Sequence, residues 1–234
     1  MNSRQKDTLV VLDFDGFLIN SYKLLKLTFE QFGLDVGDEE RFRHRRKFLK
    51  YIGGGKEFLI NLVKYTLPKK KKVRQALTEV YQAEGRIYPE FIPLLNEIIA
   101  APCFHVGIIS RNFTHTPGRT IRTVLQNSGV DESRLDFLIP VAAGVKKNAV
   151  LEGMKSSRYR LCLFGGDEIG DYAAAFAAGY DDIIMSSYGF DKKERLVNTG
   201  NIPVENIYDT PGELVIKIRQ SLELENYRFE REAS

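Results

Sequence analysis

Cysteine is scarce in this 234-residue chain, with Cys103 and Cys162 the only two. Both lie in apolar runs, which fits buried thiols in a reducing compartment better than a bridge or a metal site. Histidine is scarce as well. His44, His105 and His115 lack metal-ligand spacing, so none is assigned to a metal or to catalysis. No apolar run is long enough to cross a bilayer: the longest, from Ile98 to Ser110, is too short and is interrupted by Pro102. The opening stretch from Met1 to Thr8 is polar and charged, unlike a secretory signal. Internal repeats are missing, and low complexity is confined to Lys69–Lys72. These absences lead us to expect a soluble cytoplasmic protein with no membrane partner, acting as a monomer or a dimer.

What remains is a folded composition, with 43% hydrophobic, 28% charged and 11% aromatic residues. The length suits one domain of ordinary size plus a modest insertion, and it can bury a core without staples. The net charge of +3 hides an uneven distribution. Thirteen Lys or Arg fall between Arg41 and Arg74 against one acid, Glu57. Of the chain's 34 bases and 31 acids, that leaves 21 bases and 30 acids elsewhere. Such a shift marks a boundary.

The run Leu9 to Phe14 reads as a buried strand entering an Asp-Gly loop. From Tyr22 to about Ile87 the spacing turns helical, with segments at 22–33, 38–51, 56–66 and 70–85 punctuated by Gly33, Gly53–Gly55 and Pro68. After Pro89, helices and strands alternate. Helices are expected near 89–100, 116–128, 146–155, 169–178 and 211–224. Strands are expected at Phe104–Ile109, Phe137–Val141, Leu161–Phe164 and Asp182–Met185. Alternation of this kind implies a doubly wound, Rossmann-like α/β core with a parallel sheet and helices on both faces. The core would comprise 1–20 and 88–234, with an all-helical cap at 21–87. In such sheets ligands bind at the carboxyl ends of the strands.

Polar residues gather at those ends. The first strand closes on Asp13-Phe14-Asp15-Gly16, where carboxylates two residues apart on extended backbone point the same way. A solvated turn accounts for them; so does a nucleophilic carboxylate beside an acid/base, with Gly16 letting amides approach an anion. The strand at 104–109 ends in Ser110-Arg111-Asn112, whose hydroxyl and amides suit phosphate oxygens, although polar exit loops are common. The strand at 161–164 runs into Gly165-Gly166-Asp167-Glu168-Ile169-Gly170-Asp171, with two carboxylates one helical turn apart. Asp167 would also serve as an N-cap. Lys146 and Lys147 open a helix, a place unfavourable for a cation unless an anion compensates. Carboxylates clustered at Asp13, Asp15, Asp167 and Asp171 would repel one another, and a divalent cation resolves that conflict. An all-oxygen set suits Mg2+ better than zinc.

These four motifs, in this order, make the chain resemble the haloacid-dehalogenase-like hydrolases, in the phosphatase branch with a helical cap after the first motif. The resemblance implies that Asp13 attacks phosphorus and that Asp15 acts as general acid and then base. It implies Mg2+ held by Asp13, the Asp15 backbone carbonyl, Asp167 and Asp171. Ser110 and Lys147 would bind the phosphoryl oxygens, with Gly16, Arg111 and Asn112 nearby. The expected partner is a small phosphorylated metabolite. Two positions depart from the pattern. Phe17 stands where threonine is usual and is expected to crowd the site. Asn148 stands where proline often follows the lysine, which leaves Lys146 a rival to Lys147.

The basic run (Arg41, Arg43, Arg45, Arg46, Lys47, Lys50, Lys56, Lys64) either forms a solvated face or draws anionic substrates under the cap. Two other functions stay open on the same fold. One is a phosphomutase that passes the phosphoryl group to a sugar hydroxyl. The other is a catalytically impaired module binding nucleic acid or protein through the basic insert, with nucleic acid the lesser expectation.

Overall fold

A computed structural model of the chain describes residues 7–33, 70–142 and 144–224. The helices expected at 38–51 and 56–66, Gly53–Gly55, Lys69 and the basic residues from Arg41 to Lys64 lie outside the described residues.

Strand β1 (Thr8–Leu12) is buried along its whole length. Its side chains alternate between the two faces, as extended backbone dictates. Val10 and Leu12 enter one apolar cluster, and Leu9 and Val11 enter another. Five further strands join it: β2 (Phe104–Ser110), β3 (Phe137–Pro140), β4 (Leu161–Gly166), β5 (Asp182–Ser186) and β6 (Ile207–Tyr208). They pair in parallel in the order β3-β2-β1-β4-β5-β6. The order reverses between β1 and β4, and a crevice at such a reversal is where open α/β sheets hold ligands.

Helices cover both faces. On the Val10 side lie α1 (Ser21–Glu30), α2 (Lys70–Glu84), α3 (Phe91–Ala100), α4 (Pro117–Asn127) and α8 (Pro211–Ser221). On the Leu9 side lie α5 (Lys147–Met154), α6 (Ile169–Ala177) and α7 (Lys193–Asn198). The end signals are local. Asn20 caps α1 by accepting the Lys23 N–H at 3.0 Å. Thr210 and Glu213 form a reciprocal box at the start of α8. The expected elements occur where the described chain covers them, and α7 and β6, short and weakly patterned, were not foreseen.

The chain leaves the sheet and returns to it at neighbouring points. Ile19 and Ile87 form an antiparallel bridge, and the Tyr88 N–H donates to the Leu18 carbonyl at 2.9 Å. Between them, α1 and α2 pack on each other. Leu24, Leu25, Phe29, Leu77 and Tyr81 belong to the same apolar cluster as Val10 and Leu12. The described ends of the expected cap are therefore continuous with the core. No described helix is long and apolar enough to cross a membrane. Cys162 is buried, whereas Cys103 is only half-buried, and neither forms a disulfide.

Candidate active site

The register of β1 with β4 sets the site. Leu12 lies opposite Gly165, and the next amide, that of Asp13, donates to the Gly165 carbonyl at 2.8 Å. Asp13 thus leaves the strand end beside the loop carrying Asp167. Its Oδ1 accepts the Phe14 N–H at 2.9 Å, and its Oδ2 stands 3.2 Å from the Lys147 ammonium. Lys147 also reaches Asp171 Oδ1 at 2.6 Å. Lys147 is buried, while Lys146 is exposed and lies outside this contact set.

Asp13, Asp167 and Asp171 are all buried, and one carboxylate oxygen from each lies within 4.8 Å of the others. Asp167 is wedged in place. A Cβ on Gly16 would stand 2.2 Å from its Oδ2, and one on Gly189 would stand 2.4 Å from its Cβ. Gly16 also adopts a φ of +82°, so glycine answers both the turn and the close approach. Asp167 Oδ2 accepts the Phe190 N–H at 2.6 Å. Its Oδ1 is buried with no hydrogen-bond partner. The N-cap of α6 is Glu168 and not Asp167 as expected, because the chain turns into the helix one residue later. That turn frees the Asp167 side chain for the cluster.

Burial above all pushes the Asp13 carboxyl well above its ordinary range, with Asp171 and Asp15 adding to the effect and Lys147 opposing it. Asp167 is raised for the same first reason, reinforced by Glu168, Asp171 and Asp13. Burial would raise Asp171 too, but the Lys147 ammonium and hydrogen bonds hold it below the usual carboxylate value. Burial alone would lower Lys147, yet Asp13 and Asp171 lift it above its ordinary range. Two protonation-prone carboxyls and an orphaned buried oxygen fit a hard cation, because all the side-chain donors are oxygen. These three residues could hold a metal ion.

Asp15 has partners distinct from those of Asp13. Regular strand ends at Leu12, and the 14–19 turn carries the Asp15 carboxylate to a separate set of partners. Its Oδ1 accepts from Ser21 Oγ at 2.8 Å, Tyr81 OH at 2.8 Å and Asn112 Nδ2 at 3.3 Å. Its Oδ2 accepts from Ser110 Oγ at 2.8 Å and Asn112 Nδ2 at 3.0 Å. Asn112 is itself oriented, because its Oδ1 takes the Thr114 N–H at 3.1 Å and so turns the amide nitrogen toward Asp15. The Asp15 side chain is outside the three-carboxylate cluster.

Arg111 is exposed and donates to the Val145 carbonyl at 3.3 Å. It lines an open cleft of about 340 Å³ with Lys146, Asn148 and Glu168, which has Lys147 and Asp171 along its wall. Phe17 does not crowd the site, correcting that expectation. It is fully buried, its ring 5.5 Å from that of Phe91, and it belongs to the main core. Four positions that sequence reasoning missed contribute here: Ser21, Tyr81, Thr114 and Asp191. Asp191 is wholly buried, accepts the Ile169 N–H at 3.0 Å and pairs with Arg195 at 2.8 Å, so it fixes the start of α6. Tyr81 and Asp191 act on partners 66 and 22 positions away, which no local pattern marks, whereas Ser21 and Thr114 act on Asp15 and Asn112 only six and two positions away.

No protein-family profile matches the sequence, and no curated protein is significantly similar to it. Solved structures do match. A protein from Thermotoga maritima assigned as a beta-phosphoglucomutase has a TM-score of 0.61 at 17% identity, covering 91% of this chain and 99% of its own. CbbY from Rhodobacter sphaeroides, in complex with phosphate, has a TM-score of 0.60 at 18% identity, covering 88% and 95%. A haloacid-dehalogenase-like hydrolase from Streptococcus pneumoniae has a TM-score of 0.55 at 18% identity, covering 93% and 100%. At these identities the likeness establishes the fold alone: this chain shares the α/β fold of these solved structures.

Proposed function

We propose that the chain is a Mg2+-dependent phosphatase that hydrolyses a small phosphorylated metabolite through a phosphoryl group carried transiently on Asp13. The observation that carries this reading is the buried cluster at the β1 and β4 ends, where Lys147 joins Asp13 to Asp171 and Asp167 Oδ1 lacks a partner. Asp13, Asp167 and Asp171 would hold the ion, with the Asp15 carbonyl as a further donor. When bound, the ion supplies charge neutralisation among the carboxylates and on the phosphoryl oxygens.

In the first half-reaction a carboxylate oxygen of Asp13 bonds to phosphorus as the ester P–O bond breaks. The leaving oxygen takes a proton from Asp15. In the second, water attacks phosphorus and returns a proton to Asp15, and the bond to Asp13 breaks to release phosphate. As the geometry stands, both Asp15 oxygens accept hydrogen bonds. Donating a proton to the ester therefore requires Asp15 to give up one of its present partners. The Ser110 hydroxyl, on Oδ2, is the candidate, since the proposed role of Ser110 is to turn to a phosphoryl oxygen. Burial raises the Asp13 carboxyl and Lys147 only partly opposes that effect, so a bound cation would complete the charge compensation that favours the ionised nucleophile.

A panel of phosphorylated metabolites assayed with Mg2+ and with chelator, using Asp13→Asn as the blank, tests this reading. Phosphate release that needs both the metal and Asp13 is the expected result, and turnover unchanged in Asp13→Asn overturns it. The Thermotoga maritima neighbour supports a second reading, phosphoryl transfer between sugar hydroxyls. Isomerisation of a hexose phosphate without net phosphate release would favour that one.

A further inference from the structure

Helix α2 presents one face to the loop after β2. Residues 74, 78 and 81 are spaced four and three apart, so they share a stripe. Arg74 donates to the Phe113 carbonyl at 3.1 Å and to the Thr114 carbonyl at 2.8 Å. Thr78 Oγ1 accepts the His115 N–H at 2.7 Å. One turn further on, the buried Tyr81 hydroxyl donates to Asp15 Oδ1 at 2.8 Å across 66 positions of sequence. The same loop sends Asn112 to Asp15 from the other side. Helix and loop are thus pinned to each other, and together they grip one carboxylate.

We propose that Tyr81 is a positioning residue for Asp15, its hydroxyl held at a fixed place by the anchoring of α2 through Arg74 and Thr78. This rests on the reading of Asp15 as the group that exchanges a proton with the leaving oxygen. Asp15 sits in a turn and not on a strand, so its backbone alone does not aim its carboxylate. Rotation of the side chain is limited instead by its donors. Ser21 and Tyr81 hold Oδ1, while Ser110 and Asn112 hold Oδ2. Of the four donors, Tyr81 alone comes from the helix that returns from the insert. It therefore carries any displacement of that helix directly to the acid/base.

A positioning role predicts a loss that depends on the leaving group, which a merely structural role does not. Tyr81→Phe keeps the ring in the core and removes only the hydroxyl. Its kcat on β-glycerophosphate, whose alkoxide needs a proton, should fall about ten- to a hundredfold, the usual range for losing one hydrogen bond to a charged group. Turnover of p-nitrophenyl phosphate should stay within about threefold, and KM should barely move for either ester. On phenyl phosphate, a leaving group of intermediate quality, Tyr81→Phe should add nothing in an Asp15→Asn background. Arg74→Gln leaves the hydroxyl in place and loosens the helix from outside, so it should show the same bias more weakly. Equal losses on all esters, no loss on any, or full additivity with Asp15→Asn overturns the role of Tyr81. A wild-type protein that is inactive on every ester and indistinguishable from Asp13→Asn instead overturns the phosphatase reading beneath it.

Discussion

The ring of Phe17 lies against the bare backbone of Gly165, so close that a Cβ at 165 would stand 2.4 Å from Phe17 Cζ. The glycine that brings β4 alongside Asp13 also makes room for an aromatic ring beneath the site. Phe17 is therefore a core residue, and its replacement should act on stability. Phe17→Ala should cost about 3–5 kcal/mol, as for other buried phenylalanines. Gly165→Ala should also destabilise, because its methyl group collides with a ring that has no room to retreat. Urea denaturation of both variants checks this, and a Phe17→Ala protein of wild-type stability would refute the packing.

The adjacent lysines should separate cleanly. Lys147 is buried between Asp13 and Asp171, and replacing it by Met leaves two buried carboxylates facing each other without a cation. Breaking a buried pair in this way costs about 3–5 kcal/mol and should abolish turnover. Lys146 is exposed, so Lys146→Ala should stay within about 0.5 kcal/mol and retain most activity. Denaturant midpoints and phosphate release measured on the two variants side by side decide it.

The acidic cluster predicts a pH dependence of definite sign in chelated protein. Asp13 and Asp167 have pKa values raised above the ordinary 3.8, so above that value the folded chain holds more protons than the unfolded chain. Stability then falls as pH rises. Asp171 has the opposite sign, but its contribution is complete above 3.8 and is lost only as the pH falls toward its lowered value. The melting temperature in chelator should accordingly drop between about pH 4.5 and neutrality, and Mg2+ should flatten the curve. A metal-free melting temperature that climbs through that interval would contradict the raised carboxyls.

Asp167→Asn isolates one of these groups. Removing a buried charge whose Oδ1 has no partner should raise metal-free stability at neutral pH by about 1 kcal/mol, roughly 2–4 °C for a domain of this size. The same variant should lose the thermal shift that Mg2+ gives the wild type. Differential scanning fluorimetry with and without the ion reads both effects.

Asp191 makes its contribution from behind. Its carboxylate meets the first amide of α6, the helix that carries Asp171. Asp191→Ala should destabilise by about 2 kcal/mol through the lost cap and the unpaired Arg195. It should also weaken Mg2+ binding by displacing the start of α6, with Asp191→Asn milder on both counts. Calorimetric titration of the ion into the two variants tests the ranking.

The core was legible in the sequence because its signals are local. The continuous apolar run from Leu9 to Leu12, which becomes a strand buried throughout, and the helical spacing in 117–127 each act within a few residues. Parallel strands then oblige Asp13, Ser110 and Asp167 to emerge at one end of the sheet, so the neighbourhood of the site follows from the chain order. What the tertiary structure alone decided are the partnerships. It buried Lys147 between Asp13 and Asp171 and left the adjacent Lys146 exposed. It gave Asp15 partners of its own, because the turn after Leu12 hands it to donors 66 and 97 positions away. It moved Phe17 from the site into the core through a glycine on another strand. A hydrogen bond or a packed ring depends on distance in space, and residue types and their local spacing do not encode which remote segment will supply the other half.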